Sequence, residues 1–182
     1  MEEKRLLSKD EVYFLVFFSN SFIGSIILSG RYHFDFTMAF DREVPLLPVF
    51  VWFYILAFPF WAVGYLLAAR RGKDMFYRFV ATDLTIHFIC FICFILIPTT
   101  NIRPEIPGNT LSEKILALVY SLDGGNSPSN LFPSIHCYVS WMCWKGVEGS
   151  EKVPKWYQRF SLVFAILIII STQVLKQHYI VD

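Results

Sequence analysis

Long runs of apolar residues without a charge constrain this chain more than any other feature. Residues 12–30 and residues 45–69 contain no Asp, Glu, Lys or Arg. A helix needs about 20 mostly apolar residues to cross the hydrocarbon core of a bilayer. Three further apolar stretches, at 79–98, 131–144 and 160–175, bring the predicted number of spans to five. The sequence therefore predicts an all-α, multi-pass transmembrane helical bundle.

The composition agrees with this prediction and excludes other classes of protein. Hydrophobic residues make up 55% of the chain and charged residues 17%, whereas soluble domains are about a quarter charged. The 182 residues suffice for one domain, so we expect a single membrane-embedded unit over 1–182. The formal net charge of +1 provides no basic surface for a nucleic acid, and we expect none as a partner. The expected partner is the lipid bilayer.

The positions of Lys and Arg predict the orientation in a cell membrane. Of the 16 Lys and Arg residues, 11 lie in the N-terminal tail and in the loops that follow the second and fourth spans. Because cytoplasmic loops carry an excess of positive charge, the N-terminus should be cytoplasmic. The loop at 99–130 and the segment after residue 175 should then face the extracytoplasmic side.

The C-terminal end of the sequence resembles an interrupted helix. The chain stops inside an apolar pattern, at residues 179–182, without the Gly or Pro that commonly ends a helix. Five spans also place the two termini on opposite sides of the membrane. We therefore expect a C-terminal truncation, with the sixth span of a six-helix core missing.

Polar residues gather at the outer ends of the third, fourth and fifth spans. The third span is followed by an Arg-Pro pair, the fourth opens with Pro-Ser-Ile-His, and the fifth closes on a segment with Ser, Lys, His and Asp. By the predicted topology, all three groups lie on one side of the membrane. The candidate site residues are Arg103, Ser134, His136, Ser171, Lys176, His178 and Asp182.

The types of these residues suit phosphoryl transfer. His178 and Asp182 are four residues apart, so on a helix they would share a face. The carboxylate could then fix the imidazole tautomer and leave the other ring nitrogen as a nucleophile or base. His136, from a different span, could protonate a leaving oxygen from the opposite side. Arg103 offers a planar fork for two phosphoryl oxygens, and Ser134 adds a donor at the start of a helix.

The three polar segments resemble the motifs of the type 2 phosphatidic acid phosphatases, which share a pocket with the vanadium haloperoxidases. That family has Lys-x6-Arg-Pro, then Pro-Ser-x-His, then Ser-Arg-x5-His-x3-Asp, on a six-helix core. Residues 103–104 match the end of the first motif, and residues 133–136 match the second. Ser171, His178 and Asp182 match the third with the family's spacing.

The resemblance implies a lipid phosphatase that needs no metal or other cofactor. His178 would form a phosphohistidine, Asp182 would orient it, and His136 would be the acid for the departing alcohol. Arg103, with Ser134 and the nearby backbone, would hold the phosphate. The substrate would be a lipid phosphomonoester or pyrophosphate in the membrane.

Two departures from the family motifs leave other functions open. Leu96 stands where the family has Lys, and Thr172 stands where it has Arg. Lys176, one helical turn beyond Thr172, is a candidate replacement, and Ser171 is a candidate supporting donor. These two departures resemble those of the branch that includes the inositol phosphorylceramide and sphingomyelin synthases. Those enzymes pass the headgroup to another alcohol. Further alternatives are a non-catalytic homologue and a metal-dependent hydrolase that uses two His and an Asp.

Two other polar features are predicted to be structural. Asp83 and His87 are four residues apart in the inner half of the third span, away from the candidate site, and we expect them to pair with each other. Thr110 and Glu113 form the pattern of a capping box, which predicts the start of a short amphipathic helix at the membrane interface.

Overall fold

A computed structural model describes residues 32–125 and 128–181, and this part of the chain is helical, as predicted. A short 3-10 turn at Pro48–Phe50 leads into the second helix. The predicted span at 12–30 and the C-terminal Asp182 lie outside the described residues. The helices are α1 (Ala39–Glu43), α2 (Val51–Ala69), α3 (Lys73–Leu96), α4 (Leu111–Leu122), α5 (Ile135–Val147) and α6 (Lys155–Val174).

Three helical segments are long and apolar enough to cross a membrane, namely Pro48–Ala69, Lys73–Leu96 and Lys155–Val174. They correspond to the second, third and fifth predicted spans, which confirms a helical membrane protein. The fourth predicted span forms α5, which has only 13 residues. At about 1.5 Å per residue it is about 20 Å long, against a hydrocarbon core of about 30 Å. This helix is therefore shorter than a full crossing.

The short helix α5 lies against α2 and α6 in the centre of the bundle. Its Val139 and Cys143 are fully buried, together with Ala165 and Ile168 of α6. The approach to α2 is closest at Gly64, where an added Cβ would lie 2.6 Å from Sγ of Cys143. Such a small residue lets two helix backbones come close in a membrane protein.

The short helix predicted from the capping box is confirmed as α4. The hydroxyl of Thr110 accepts a hydrogen bond from the backbone N–H of Glu113 at 3.2 Å. In return, the carboxylate of Glu113 accepts one from the backbone N–H of Thr110 at 3.0 Å. The buried residues Leu116 and Tyr120 pack against the start of α2 and the end of α6.

The chain turns sharply where α6 ends. The helix stops at Val174, and Lys176 takes a left-handed backbone conformation with φ of 54°. The backbone N–H groups of Gln177 and His178 both donate to the carbonyl of Thr172, at 2.9 and 3.2 Å. His178 therefore does not lie on a helix, because residues 175–181 form a non-helical segment, and the helical spacing assumed for His178 and Asp182 does not apply to His178.

The entry to α5 is attached to the end of α3 through Thr99. The buried hydroxyl of Thr99 accepts hydrogen bonds from the backbone N–H groups of Leu131 and Phe132, at 2.9 and 3.1 Å. The backbone of Thr100 in turn donates to the carbonyl of Phe34 at 2.9 Å. These bonds fix the segment that precedes α5 relative to the end of α3 and to Phe34.

The predicted contact between Asp83 and His87 is confirmed. Oδ1 of Asp83 lies 3.2 Å from Nδ1 of His87, and both side chains are buried. The hydroxyl of Tyr138 on α5 also contacts the His87 ring. The pair therefore connects α3 to α5.

We expect Gly64→Val to lower the free energy of unfolding by about 1–3 kcal/mol, because the added side chain would overlap Cys143. The matched control is Ala62→Val, two positions away on the exposed side of α2. Thermal unfolding in detergent should show a lower midpoint for Gly64→Val than for the control. Equal midpoints would contradict the close contact between α2 and α5.

Candidate active site

Two histidines from different elements share one cavity. His136 lies in the first turn of α5, and His178 lies in the bend after α6. Their ring centroids are 6.1 Å apart, with an interplanar angle of 48°. Both side chains line a cavity of about 260 Å³. The structure thus brings together the two predicted catalytic histidines.

The cavity has an aromatic wall and a polar wall. The aromatic wall comes from α2 and α3 and consists of Tyr54, Phe58, Trp61 and Phe94. On the polar side, Asp123, Asn130 and Gln177 line the cavity together with the two histidines. Among the described residues that line it there is no Lys or Arg. Its polar lining therefore combines imidazole, amide and hydroxyl groups with a carboxylate.

His136 is held in the aromatic wall. The ring of Tyr54 stacks on it with centroids 4.1 Å apart and planes 16° from parallel. The rings of Trp61 and Phe58 lie 5.0 and 5.8 Å away. Nε2 of His136 is buried and has no hydrogen-bond partner among the described residues. The imidazole is therefore fixed in orientation by ring contacts.

The tautomer of His178 is set by a backbone carbonyl. Nδ1 of His178 lies 2.6 Å from the carbonyl oxygen of Leu131. A carbonyl oxygen can only accept, so Nδ1 carries the proton and Nε2 of the neutral ring does not. The sequence predicted that Asp182 would fix this tautomer, and Asp182 lies outside the described residues. Sequence reasoning missed Leu131 because a backbone acceptor leaves no signal in the side chain.

Arg103 is buried and uses its terminal N–H groups within the protein. Nη1 donates to the carbonyl oxygens of Asp123 and Gly125, at 3.1 and 3.2 Å. Nη2 donates to Oδ2 of Asp123 at 2.5 Å and also to Oε1 of Gln177. The two Nη atoms carry four N–H groups, so these bonds leave only the Nε–H of the guanidinium. Arg103 is therefore not the open fork that its position in the motif predicted.

Tyr120 supports Arg103 from α4. The guanidinium carbon lies 4.6 Å from the centroid of the Tyr120 ring, within the range of a cation–π interaction. Burial raises the pKa of Tyr120 to about 12, although the charge of Arg103 opposes the shift. The phenol therefore keeps its proton at neutral pH and donates to the carbonyl of Leu175 at 2.7 Å.

Asp123 is the carboxylate that faces this cavity in the described part of the chain. Its side chain is 50% exposed, whereas that of Arg103 is fully buried. Asp123 lies in the turn that ends α4. Neither Asp123 nor Gln177 belongs to the motif positions, and for that reason sequence reasoning missed both.

Ser134 and Ser171, two of the predicted phosphate ligands, do not line the cavity. The hydroxyl of Ser134 caps α5 by accepting from the backbone N–H of Cys137 at 3.3 Å. The hydroxyl of Ser171 donates to the carbonyl of Ile168 at 2.6 Å within α6. In this structure both residues take part in bonds within or at the end of a helix.

The ammonium group of Lys176 lies at a second cavity. It donates to the backbone carbonyls of Asp41 and Val44, away from His136. Burial lowers the pKa of Lys176, and the neighbouring Asp41 carboxylate opposes that shift. The second cavity, of about 310 Å³, also includes Arg42 and His178 in its lining. His178 therefore borders both cavities.

No group of three or more His, Cys, Asp or Glu side chains in residues 32–125 and 128–181 is placed to hold a metal ion. The predicted third partner of the two histidines, Asp182, lies outside these ranges.

Comparisons with known proteins agree with the motif analysis. A family model described as the PAP2 superfamily matches residues 28–182, a range that includes both cavity histidines and Arg103. No curated protein and no solved structure matches the chain. Because the family match covers most of the sequence, the chain belongs to the PAP2 superfamily.

Proposed function

We propose that this protein hydrolyses the phosphate ester of a membrane lipid through a phosphohistidine at His178. Membership of the PAP2 superfamily supports a phosphatase-type phosphoesterase. The observation that carries the proposal is the pairing of His178, with its proton held on Nδ1, and His136 in one cavity. A nucleophile with a fixed tautomer and a second titratable group nearby suit covalent catalysis.

The first step forms the phosphohistidine. The lone pair on Nε2 of His178 attacks phosphorus, a P–N bond forms, and the ester P–O bond breaks. Protonated His136 gives its proton to the departing lipid alkoxide, which leaves as an alcohol. General acid catalysis of this kind contributes about 10²–10⁴-fold to a rate.

The second step releases phosphate. Water attacks phosphorus while neutral His136 accepts one of its protons. The P–N bond breaks, inorganic phosphate leaves, and both histidines return to their starting protonation states. The alternating role of His136 as acid and base follows from microscopic reversibility.

The N-terminus of α5 favours an anion in this cavity. Ile135 and His136, the first two residues of the helix, both line it. The first N–H groups of a helix lack intrahelical partners and lie at the positive end of its dipole. A phosphate near Nε2 of His178 would therefore meet backbone donors as well as the side chains of the polar wall.

The surroundings of the cavity favour a lipid as the substrate. Leu122, which lines the cavity, is 80% exposed, and Leu118 on the same helix is 57% exposed. This apolar rim lies beside helices long enough to span a membrane. We propose that the substrate is a lipid phosphomonoester or pyrophosphate and that the cavity faces the extracytoplasmic side.

The first test is phosphate release from phosphatidic acid in detergent with a chelator present. We expect release from the wild-type chain, a loss of about 10³-fold or more in His178→Ala, and a loss of about 10²–10⁴-fold in His136→Ala. His33→Ala is the matched control, because His33 lies outside the cavity, and it should keep full activity.

Other outcomes of this assay would contradict the proposal. Chelator-sensitive release would indicate a metal-dependent hydrolase. Transfer of the labelled headgroup to an added lipid alcohol, without phosphate release, would indicate a transferase. No turnover of either kind would favour a non-catalytic member of the superfamily.

A second prediction concerns the carboxylate in the cavity. Asp123→Asn should lower the inhibition constant of inorganic phosphate by about 3–10-fold, because the cavity loses a negative charge while Asn can still accept from Arg103. Asp35→Asn, which removes an exposed carboxylate outside the cavity, is the control and should leave the constant unchanged. Weaker inhibition in Asp123→Asn would show instead that the carboxylate is needed for phosphate to bind.

A further inference from the structure

Gln177 lies beside the proposed nucleophile and lines the same cavity. It precedes His178 in the chain, and its side chain is almost fully buried, at 2% exposure. Its backbone N–H donates to the carbonyl of Thr172 at 2.9 Å, which fixes its position at the end of α6. The amide therefore has a defined place next to the imidazole.

Arg103 determines which way the Gln177 amide points. The two ends of an amide are commonly hard to tell apart, so their assignment rests on the hydrogen-bond partners. Arg103 has only donors, and Nη2 contacts Gln177, so the atom facing it must be the acceptor Oε1. The donor Nε2 is consequently the end turned away from the guanidinium.

Nε2 of Gln177 has no hydrogen-bond partner among residues 32–125 and 128–181, although it is buried. A buried donor left unpaired costs about 1–3 kcal/mol. Such a group in the wall of a cavity indicates a ligand that accepts a hydrogen bond there. The first ligand to consider is the phosphoryl group that would react at the neighbouring His178.

The positions at which the family motifs have Lys and Arg do not supply a hydrogen-bond donor for the phosphoryl group. Leu96 is apolar and 65% exposed. Thr172 is buried, and its hydroxyl donates to the carbonyl of Ile169 within α6. The ammonium group of Lys176 contacts backbone carbonyls at the second cavity.

We propose that Nε2 of Gln177 donates a hydrogen bond to a non-bridging oxygen of the phosphoryl group that reacts at His178. Gln177 is then a catalytic residue, and Arg103 is a positioning residue that orients and polarises its amide. Donors aimed at the oxygens that gain charge in the transition state are a main source of catalysis. This inference rests on the proposed function and names a donor for its phosphate.

The test compares Gln177→Glu with the wild-type chain. The variant side chain has the same size and can still accept from Arg103, but it lacks the donor. We expect kcat to fall by about 10²-fold or more, as for loss of one oxyanion donor, and the inhibition constant of orthovanadate to rise. Orthovanadate is the probe because its five-coordinate adduct mimics the transition state of phosphoryl transfer.

A matched variant separates this role from a structural one. Gln158 is another buried glutamine, and its Nε2 donates to the carbonyls of Ser150 and Val153 at 2.8 Å, outside the cavity. Gln158→Glu should lower the thermal midpoint without the loss in kcat or in orthovanadate inhibition. If Arg103 acts through Gln177, the double variant Arg103→Lys with Gln177→Glu should be no slower than Gln177→Glu alone.

The outcomes distinguish a failure of this inference from a failure of the proposed function. Wild-type kcat and orthovanadate inhibition in Gln177→Glu, with His178→Ala inactive, would overturn the donor and leave the phosphatase intact. If the wild-type chain releases no phosphate, orthovanadate binding is followed by thermal shift. Binding that weakens in Gln177→Glu would then support the donor, whereas equal binding in the two chains, or none in the wild type, would overturn it.

Discussion

The buried guanidinium of Arg103 joins the segments that form the candidate site. It contacts the turn after α4 through two backbone carbonyls and the Asp123 carboxylate, and it contacts the end of α6 through Gln177. Tyr120 of α4 packs under it. A buried charge is costly unless it is paired and hydrogen-bonded, so these partners must stay together. Arg103 thereby fixes Asp123 and Gln177, two residues of the polar wall.

The reversal of the chain after α6 determines where His178 lies. A left-handed backbone at a residue other than Gly is uncommon, and at Lys176 it is accompanied by bonds from the ammonium group to two carbonyls. The reversal turns His178 back toward the segment before α5, where the Leu131 carbonyl fixes its tautomer. Thr99, which follows α3, holds that same segment through Leu131. The position of the proposed nucleophile therefore depends on both α3 and α6.

Apolar runs were sufficient to predict most of the helices, and the order of the predicted spans was sufficient to predict that His136 and His178 lie near each other. The capping box at Thr110 also gave the start of α4, since it involves neighbouring residues only. The end of α6 was predicted to within one residue by the apolar stretch at 160–175. The reversal that follows was not predicted, because Lys at a left-handed position has no clear sequence signal. The apolar stretch at 131–144 already indicated a short fourth helix, and α5 begins four residues and ends three residues later than this stretch.

The sequence predicted which types of residue form the site, but not the contacts that these residues make. The motif indicated an Arg for phosphate, yet the bonds of Arg103 to Asp123 and Gln177 join residues 20 and 74 positions apart, a separation that single-sequence patterns do not report. The orientation of His178 by a backbone oxygen is likewise a property of the fold. Sequence therefore identifies which groups are present, and the fold determines which of them face the cavity.

The most direct test of the account is to trap the covalent intermediate. The chain would be mixed with a lipid phosphate carrying a radioactive phosphorus and quenched in alkali, which preserves a phosphorus–nitrogen bond that acid cleaves. We expect an acid-labile label on the peptide that contains His178, formed and lost as rapidly as phosphate is released. Release of phosphate without any such label, or a label on another residue, would contradict His178 as the nucleophile.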